Sequence, residues 1–271
     1  MTRDDAQALR ELAERLAREA GAIALDGRRA AGASFGGDTK STSTDLVTEF
    51  DRAAEAHIVG ELRRLRPHDA IVGEEGTDDE GSSGYEWHID PIDGTTNYVY
   101  DHTAWSCSVA VARRDRVVAG AVYVPPIDEL FSAHEGAGAT LNGDAIRAST
   151  RSELPLTLVG TGFSYDADRR IEQAAVVARL IGQVRDIRRL GSAAYDLCMV
   201  ACGRLDVYYE RHLNSWDAAA GELIAREAGA TTSDYAGGVA RPAEMVAAAP
   251  AVHAEFIAAL QQAITTSPGT S

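Results

Sequence analysis

Asp90 and Asp93 stand three residues apart in Trp87-His88-Ile89-Asp90-Pro91-Ile92-Asp93-Gly94-Thr95-Thr96-Asn97-Tyr98. The proline between them pre-sets the backbone, and Gly94 lets it approach a ligand closely. Two threonine hydroxyls follow. Carboxylates, backbone N–H groups and hydroxyls gathered in one turn suit a place where a metal ion and a phosphate meet. An ordinary acidic surface turn uses the same residue types.

Other carboxylates fall where an element should begin or end. Thr48 followed by Asp51 has the form of a capping box and predicts a helix from there to about Leu65, ahead of Pro67. Capping is the plain alternative role for Asp51. Glu74 follows the apolar strand Ala70-Ile71-Val72-Gly73, and Asp217 opens an alanine-rich helix in Asn214-Ser215-Trp216-Asp217-Ala218-Ala219-Ala220-Gly221. If such carboxylates converge without cations, repulsion forces some to hold protons. Mg²⁺ removes that conflict, because it takes oxygen ligands, keeps several waters and accepts a substrate phosphate. No base-and-orienter pair surrounds Thr95 in sequence, so a hydroxyl–carboxylate pair acting on water is simpler than a covalent nucleophile. Glu210 offers an acceptor carboxylate to a polyol, with a strand-end surface glutamate as the alternative. Lys40 could serve a phosphate or a carboxylate cluster, or simply be solvated. Strand alternation is read as turning His88 away from Asp90, and His102 as lining a pocket rim or solvent.

The elements that must position these groups divide into two styles. Residues 4–26 carry Leu9, Leu12, Leu16 and Ile23 on one helical stripe, and residues 27–43 read as a loop. Residues 77–84 read as a flexible loop. Strands follow at 105–112, 117–124 and 129–134, and Asn142-Gly143 signals a hairpin. Beyond residue 155, strand-like segments (156–163, 184–187, 206–209, 230–233, 245–248) alternate with helical ones (169–181, 192–202, 217–228, 251–264). The expected fold class is therefore α/β with an α+β N-terminal half. Residues 1–150 form one expected subdomain carrying most acidic ligands, and 151–271 a second that completes the site.

The chain has 271 residues, 45% hydrophobic and 25% charged, with a formal net charge of −15. That length can bury a substantial core, and the acidic balance argues against direct nucleic-acid or anionic-membrane binding. No apolar run approaches the roughly 18 residues that span a bilayer, and the first residues lack a signal-peptide core. Cys107, Cys198 and Cys202 do not make a secreted disulfide framework, and the latter two read as packed core rather than a metal site. A cytoplasmic location is expected.

Gly73-Glu74-Glu75, Asp90-Pro91-Ile92-Asp93-Gly94-Thr95-Thr96-Asn97 and Trp216-Asp217-Ala218-Ala219-Ala220-Gly221, in this order and spacing, resemble the signatures of the inositol monophosphatase family. Asp45-Leu46-Val47-Thr48 followed by Asp51 matches a fourth element, and the resemblance runs from about residue 10 to about residue 262. It implies a layered α-β-α-β-α sandwich, a lithium-sensitive, Mg²⁺-dependent phosphatase with two to three ions, and a homodimer. Glu74, Asp90 and the Ile92 carbonyl would then hold a first metal; Asp90, Asp93 and Asp217 a second; Glu74 would help a third. Thr95 and Asp51 would orient and deprotonate the water, and the N–H groups of Gly94 and Thr95 would cradle the phosphate. Gly191, Ser192, Ala193 and Glu210 match segments that contact inositol hydroxyls, and this stretch resembles actinobacterial members in wording. Thr96 stands where relatives acting on histidinol phosphate often carry lysine. The segment Val99 to Trp105, with Asp101 and His102, departs from the family pattern, which puts local loop shape and substrate range in question. Myo-inositol monophosphate is the expected substrate. The rivals are fructose 1,6-bisphosphate, histidinol phosphate, a nucleotide 3′-phosphate, or a regulatory role with RNA or the transcription machinery.

Overall fold

Leu9, Leu16 and the small residues Ala13, Ala17, Ala20 and Ala24 form the buried stripe of helix α1 (Arg3–Ala31). The structure, a computed structural model, describes residues 3–31, 38–39 and 46–265. Helix α1 runs past residue 27, where the composition had pointed to a loop. Gly27 lies against the Phe50 ring, which leaves no room for a side chain there. The glycine thus serves a close approach, not a chain break. Two short strands, β1 (Asp38–Thr39) and β2 (Leu46–Val47), pair antiparallel.

Helix α2 (Glu49–Leu65) begins at the expected capping box: the Thr48 side chain accepts from the Asp51 N–H, and Asp51 Oδ2 accepts from the Thr48 N–H at 2.8 Å. Strand β3 (Ala70–Gly73) follows, and β4 (Asp78–Asp79) pairs back onto it antiparallel, inside the stretch read as a flexible loop. Strand β5 (Tyr85–Asp93) lies parallel to β3 and leads into α3 (Thr95–Val99). An antiparallel meander continues through β6 (Ser106–Arg113), β7 (Arg116–Val124), β8 (Glu129–His134), β9 (Ala139–Leu141) and β10 (Asp144–Ile146). Asn142 and Gly143 join the last two with φ of 50° and 88°, the left-handed pair that a tight hairpin requires. These strands form one eight-stranded sheet in the order β10-β9-β8-β7-β6-β5-β3-β4.

The second half alternates as expected: β11 (Leu158–Thr161), α4 (Ala167–Leu180), β12 (Asp186–Arg188), α5 (Ala193–Ala201), β13 (Val207–Arg211) and α6 (Ser215–Glu227). Strands β14 (Thr231–Ser233) and β15 (Glu244–Ala248) and helix α7 (Pro250–Thr265) close the chain. The five-stranded sheet runs β12-β11-β13-β15-β14, with β11 parallel to both neighbours and β15 antiparallel to its own.

Five layers result. Helices α1 and α2 bury Leu16, Ile58 and Leu62 against Ile71, Trp87 and Ile89 on one face of the large sheet. Helices α5 and α6 fill the space between the sheets, and α4 and α7 cover the outer face of the smaller one. The α-β-α-β-α sandwich is as expected. The alanines of α6 have a physical reason. A Cβ at Gly120 on β7 would lie 3.2 Å from Ala220, and one at Gly221 would lie 2.7 Å from Leu197 of α5. Only small residues let α6 fit between sheet and helix.

Candidate active site

Two carboxylates three residues apart on a regular strand point to opposite faces. Strand β5 avoids this by a bulge: Asp90 pairs with Ser108 and Asp93 with Ser106, so β5 spends one more residue than β6 over the same interval. Pro91, which has no N–H to give the ladder, sits inside the bulge. The stretch read as a tight turn is therefore the bulged end of a strand. Asp90 and Asp93 share the face toward α6, where Asp217 stands in the first turn. Carboxylate oxygens of Asp90, Asp93 and Asp217 lie within 4.8 Å of one another. His88 is two residues from Asp90 and lies on that same side, so the reading that turned it away is corrected. It lines a separate surface recess with Ala218 and Glu222 of α6.

Each acid is held in a different way. Asp90 Oδ1 accepts the Ile92 N–H at 3.0 Å. Asp93 Oδ2 accepts from Ser192 Oγ and the Ala194 N–H, both at 2.7 Å, at the start of α5. Asp217 Oδ2 accepts the Asn214 N–H at 2.6 Å. Thr95 Oγ1 lies 3.2 Å from Asp51 Oδ1 and 3.1 Å from the Ile92 carbonyl, and its single proton can go to either. The opposite oxygen of Asp51 is held by the Thr48 N–H and hydroxyl. Asn97 ties the turn to its surroundings by donating to the Leu190 carbonyl at 2.7 Å. Gly94, at φ 94°, faces the Gly191 carbonyl so closely that a Cβ would lie 2.8 Å from it. Gly191, also at φ 94°, has its own reason: a Cβ there would run into the Arg189 guanidinium and lie 3.0 Å from the Asn97 amide nitrogen.

The electrostatics carry the strain. Burial, followed by the neighbouring Glu74, Asp93 and Asp217, holds Asp90 well above the usual carboxylate range. Burial likewise raises Asp217, with Asp93 and Glu74 adding to it. Asp93 is pushed up to about 6 by burial, against the lowering effect of its bonds from Ser192 and Ala194. Such a group of acids is poorly matched to its own negative charge and well matched to a cation. The donor set is oxygen only, which suits a hard divalent ion.

These residues line a cleft of about 150 Å³, with Glu74, Ile92, Gly94, Thr95, Gly191, Ala193 and Glu210 also in its wall. Asp51 sits behind Thr95 and Ser192 behind Asp93; Thr96 is not in the wall. His102 is exposed, and Lys40 lies outside the described residues. Glu210 takes a hydrogen bond from the Tyr208 hydroxyl, and burial raises it to about 7. Asp196, buried in α5, is held well above its ordinary range by burial and then by Glu210. Sequence reasoning passed over Gly162, Arg189, Arg211, His212 and Asn214, which also line the cleft. Gly162 carried a signal, a glycine at a strand end; any side chain there would meet the Glu210 carboxylate. Asn214 carried one too, as the cap three residues before Asp217; Arg189, Arg211 and His212 carried none.

A family model described as the inositol monophosphatase family matches residues 5–266. The chain belongs to the inositol monophosphatase family. It is 43% identical to an inositol-1-monophosphatase of Mycobacterium bovis, with 97% of each chain covered. The structure of an inositol monophosphatase from Anabaena superposes with a TM-score of 0.82 at 32% identity, over 94% of this chain and 96% of that one. A protein of Escherichia coli named Nus factor SuhB is 43% identical over 72% of this chain and 74% of its own length. As an inositol monophosphatase family member with these relatives, the chain is a phosphatase, and its acidic triad can hold a metal ion. Among the described residues, no helix is long and apolar enough to cross a membrane.

Proposed function

We propose that this phosphatase hydrolyses myo-inositol monophosphate to inositol and phosphate with Mg²⁺. The observation that carries the reading is the convergence of the Asp90, Asp93 and Asp217 carboxylates within 4.8 Å, beside the Thr95–Asp51 contact. Glu74, Asp90 and the Ile92 carbonyl would hold one ion, Asp90, Asp93 and Asp217 a second, and Glu74 would contribute to a third. Bound divalent cations neutralise the phosphate and make the attacking water more acidic. Thr95 orients that water, and Asp51 takes up its proton through the Thr95 hydroxyl. The N–H groups of Gly94 and Thr95, at the start of α3, face the phosphate, since the first N–H groups of a helix lack intrahelical acceptors. Gly191 and Ala193 shape the polyol side, Ser192 supports it from behind through Asp93, Thr96 stands outside the wall, and Glu210 accepts from the polyol's hydroxyls. The protein acts as a lithium-sensitive cytoplasmic homodimer in this reading.

Comparison of kcat/KM for inositol monophosphate, fructose 1,6-bisphosphate, histidinol phosphate and a nucleoside 3′-phosphate, all in Mg²⁺, tests the reading. Inositol monophosphate is expected to lead; a tenfold or greater preference for another ester overturns it. One observation favours a related phosphatase with a larger leaving group. The cleft shares Gly162, Glu210, Arg211 and His212 with an adjoining compartment of about 440 Å³, walled by Tyr209, Tyr235 and Val176. The relative named Nus factor SuhB favours a regulatory role instead. The net charge of −15 offers little to RNA. A pull-down beside a phosphate-release assay separates them, because capture of the transcription machinery by a catalytically silent protein supports only the regulatory role.

A further inference from the structure

Glu55 is the second carboxylate, after Asp51, on the buried face of α2, 4% exposed among Ala54, Ile58, Val59 and Leu62. Buried acids need partners, and those of Glu55 all come from one short segment. Its Oε2 accepts the Glu75 N–H at 2.8 Å. Its Oε1 accepts the Thr77 hydroxyl at 2.6 Å and the Thr77 N–H at 3.3 Å. The segment closes on itself as well, since the Gly73 N–H donates to the Thr77 carbonyl at 2.8 Å. Glu74 sits in the middle of this loop, its N–H bonded to the Ile89 carbonyl at 3.1 Å, its side chain in the cleft wall. A Cβ at Gly73 would stand 2.6 Å from the Glu55 carboxyl carbon, so Gly73 is the gap through which the carboxylate reaches the loop.

We infer that Glu55 is a positioning residue for Glu74: its carboxylate is the post around which residues 73–77 are wound, and this fixes where Glu74 enters the metal site. The inference rests on the reading of Glu74 as a metal ligand. It also gives α2 two tasks one helical turn apart. Asp51 faces the Thr95 hydroxyl, and Glu55 holds the strand-end loop, so both are set by the same rigid element. Partners that orient a ligand from behind typically change metal affinity by about 10–100-fold when removed.

The test is calorimetric titration of the purified protein with magnesium chloride, paired with thermal denaturation in chelator and with phosphate release. Glu55→Ala is expected to weaken Mg²⁺ binding about tenfold or more, and Glu55→Gln, which keeps one acceptor oxygen, to fall between it and the unaltered protein. Gly73→Ala is expected to weaken binding too, because its methyl displaces the carboxylate. In the Glu55→Ala background that same change adds little, since the group it strikes is gone. That non-additivity ties both effects to the one carboxylate, whereas a simple stability staple lowers the metal-free midpoint and leaves Mg²⁺ affinity unchanged. Mg²⁺ affinity within twofold of the unaltered protein in both single variants, with only the metal-free midpoint lowered, overturns the inference. Should Glu55→Ala not fold, Gly73→Ala and Thr77→Val decide by the same titration. Weakened Mg²⁺ binding in a protein that releases no phosphate from any ester upholds the positioning role and overturns the proposed activity. No Mg²⁺ binding by the unaltered protein overturns both.

Discussion

Thr95 Oγ1 lies 3.2 Å from Asp51 Oδ1, although 44 residues separate them in the chain. Asp51 is wholly buried and is clamped from its other side by Thr48. A hydroxyl aimed at such an acid can pass on a proton without either group having to move. Thr95→Ala is therefore expected to lower kcat by about 10²–10⁴-fold with little change in thermal midpoint. Thr95→Ser, which keeps the oxygen, should recover most of it. Steady-state phosphate release on both variants checks this, and an alanine variant with normal kcat removes Thr95 from the proposed chemistry.

Asp93→Asn and Asp217→Asn each remove a charge from the triad but keep its shape. Turnover is expected to be nearly abolished in both while the metal-free protein stays folded, because the lost charge relieves repulsion there. Circular dichroism and phosphate release on the same preparations give the two readouts. Full activity in either purified variant is incompatible with the metal assignment.

The raised acids also fix a pH dependence. In the unfolded chain an aspartate titrates near 3.9, whereas Asp93 in the folded, metal-free protein titrates at about 6 and Asp90 and Asp217 well above the usual range. Between those values the folded state binds more protons than the unfolded one. These acids therefore lower stability as pH rises through that window. A cation that holds them ionised cancels the loss. The gain in thermal midpoint from saturating Mg²⁺ over chelator should be larger at pH 7.5 than at pH 5.5. An equal gain at both values, or the reverse order, contradicts the argument. The increment is the proper quantity, because the lowered histidines His88, His212 and His253 pull the absolute stability the other way in acid.

Packing gives a prediction free of chemistry. Gly221→Val places branched carbons where even one Cβ would lie 2.7 Å from Leu197 and 3.0 Å from the Ala194 carbonyl. A loss of about 1–3 kcal/mol is expected in urea unfolding. Activity should fall as well, because α6 carries Asp217. An unchanged unfolding midpoint means that α5 and α6 can part freely.

Local features were legible in the residues themselves, and meetings between distant segments only where the family resemblance implied them, as for Asp90, Asp93 and Asp217 or Thr95 and Asp51. The Thr48–Asp51 box, strand 70–73 and the Asn142-Gly143 hairpin depend on neighbours in the chain, and they stand as read. Gly27 was misread because its reason is the Phe50 ring, a partner that composition does not reveal. The bulge at Pro91 was misread as a turn because it exists only against β6. Glu55 was legible in principle. It stands four residues after Asp51, where the helical period demands an apolar side chain, and an acid on a buried face signals a partner waiting across the core.

The acidic triad draws Asp90 and Asp93 from one sheet and Asp217 from a helix almost half the chain further on. During synthesis, a nascent chain therefore displays most of its acids long before it has the one that closes the set. Until α6 is in place, Asp90 and Asp93 lack the third carboxylate. A cation bound by all three acids would therefore report that the two parts of the chain have met.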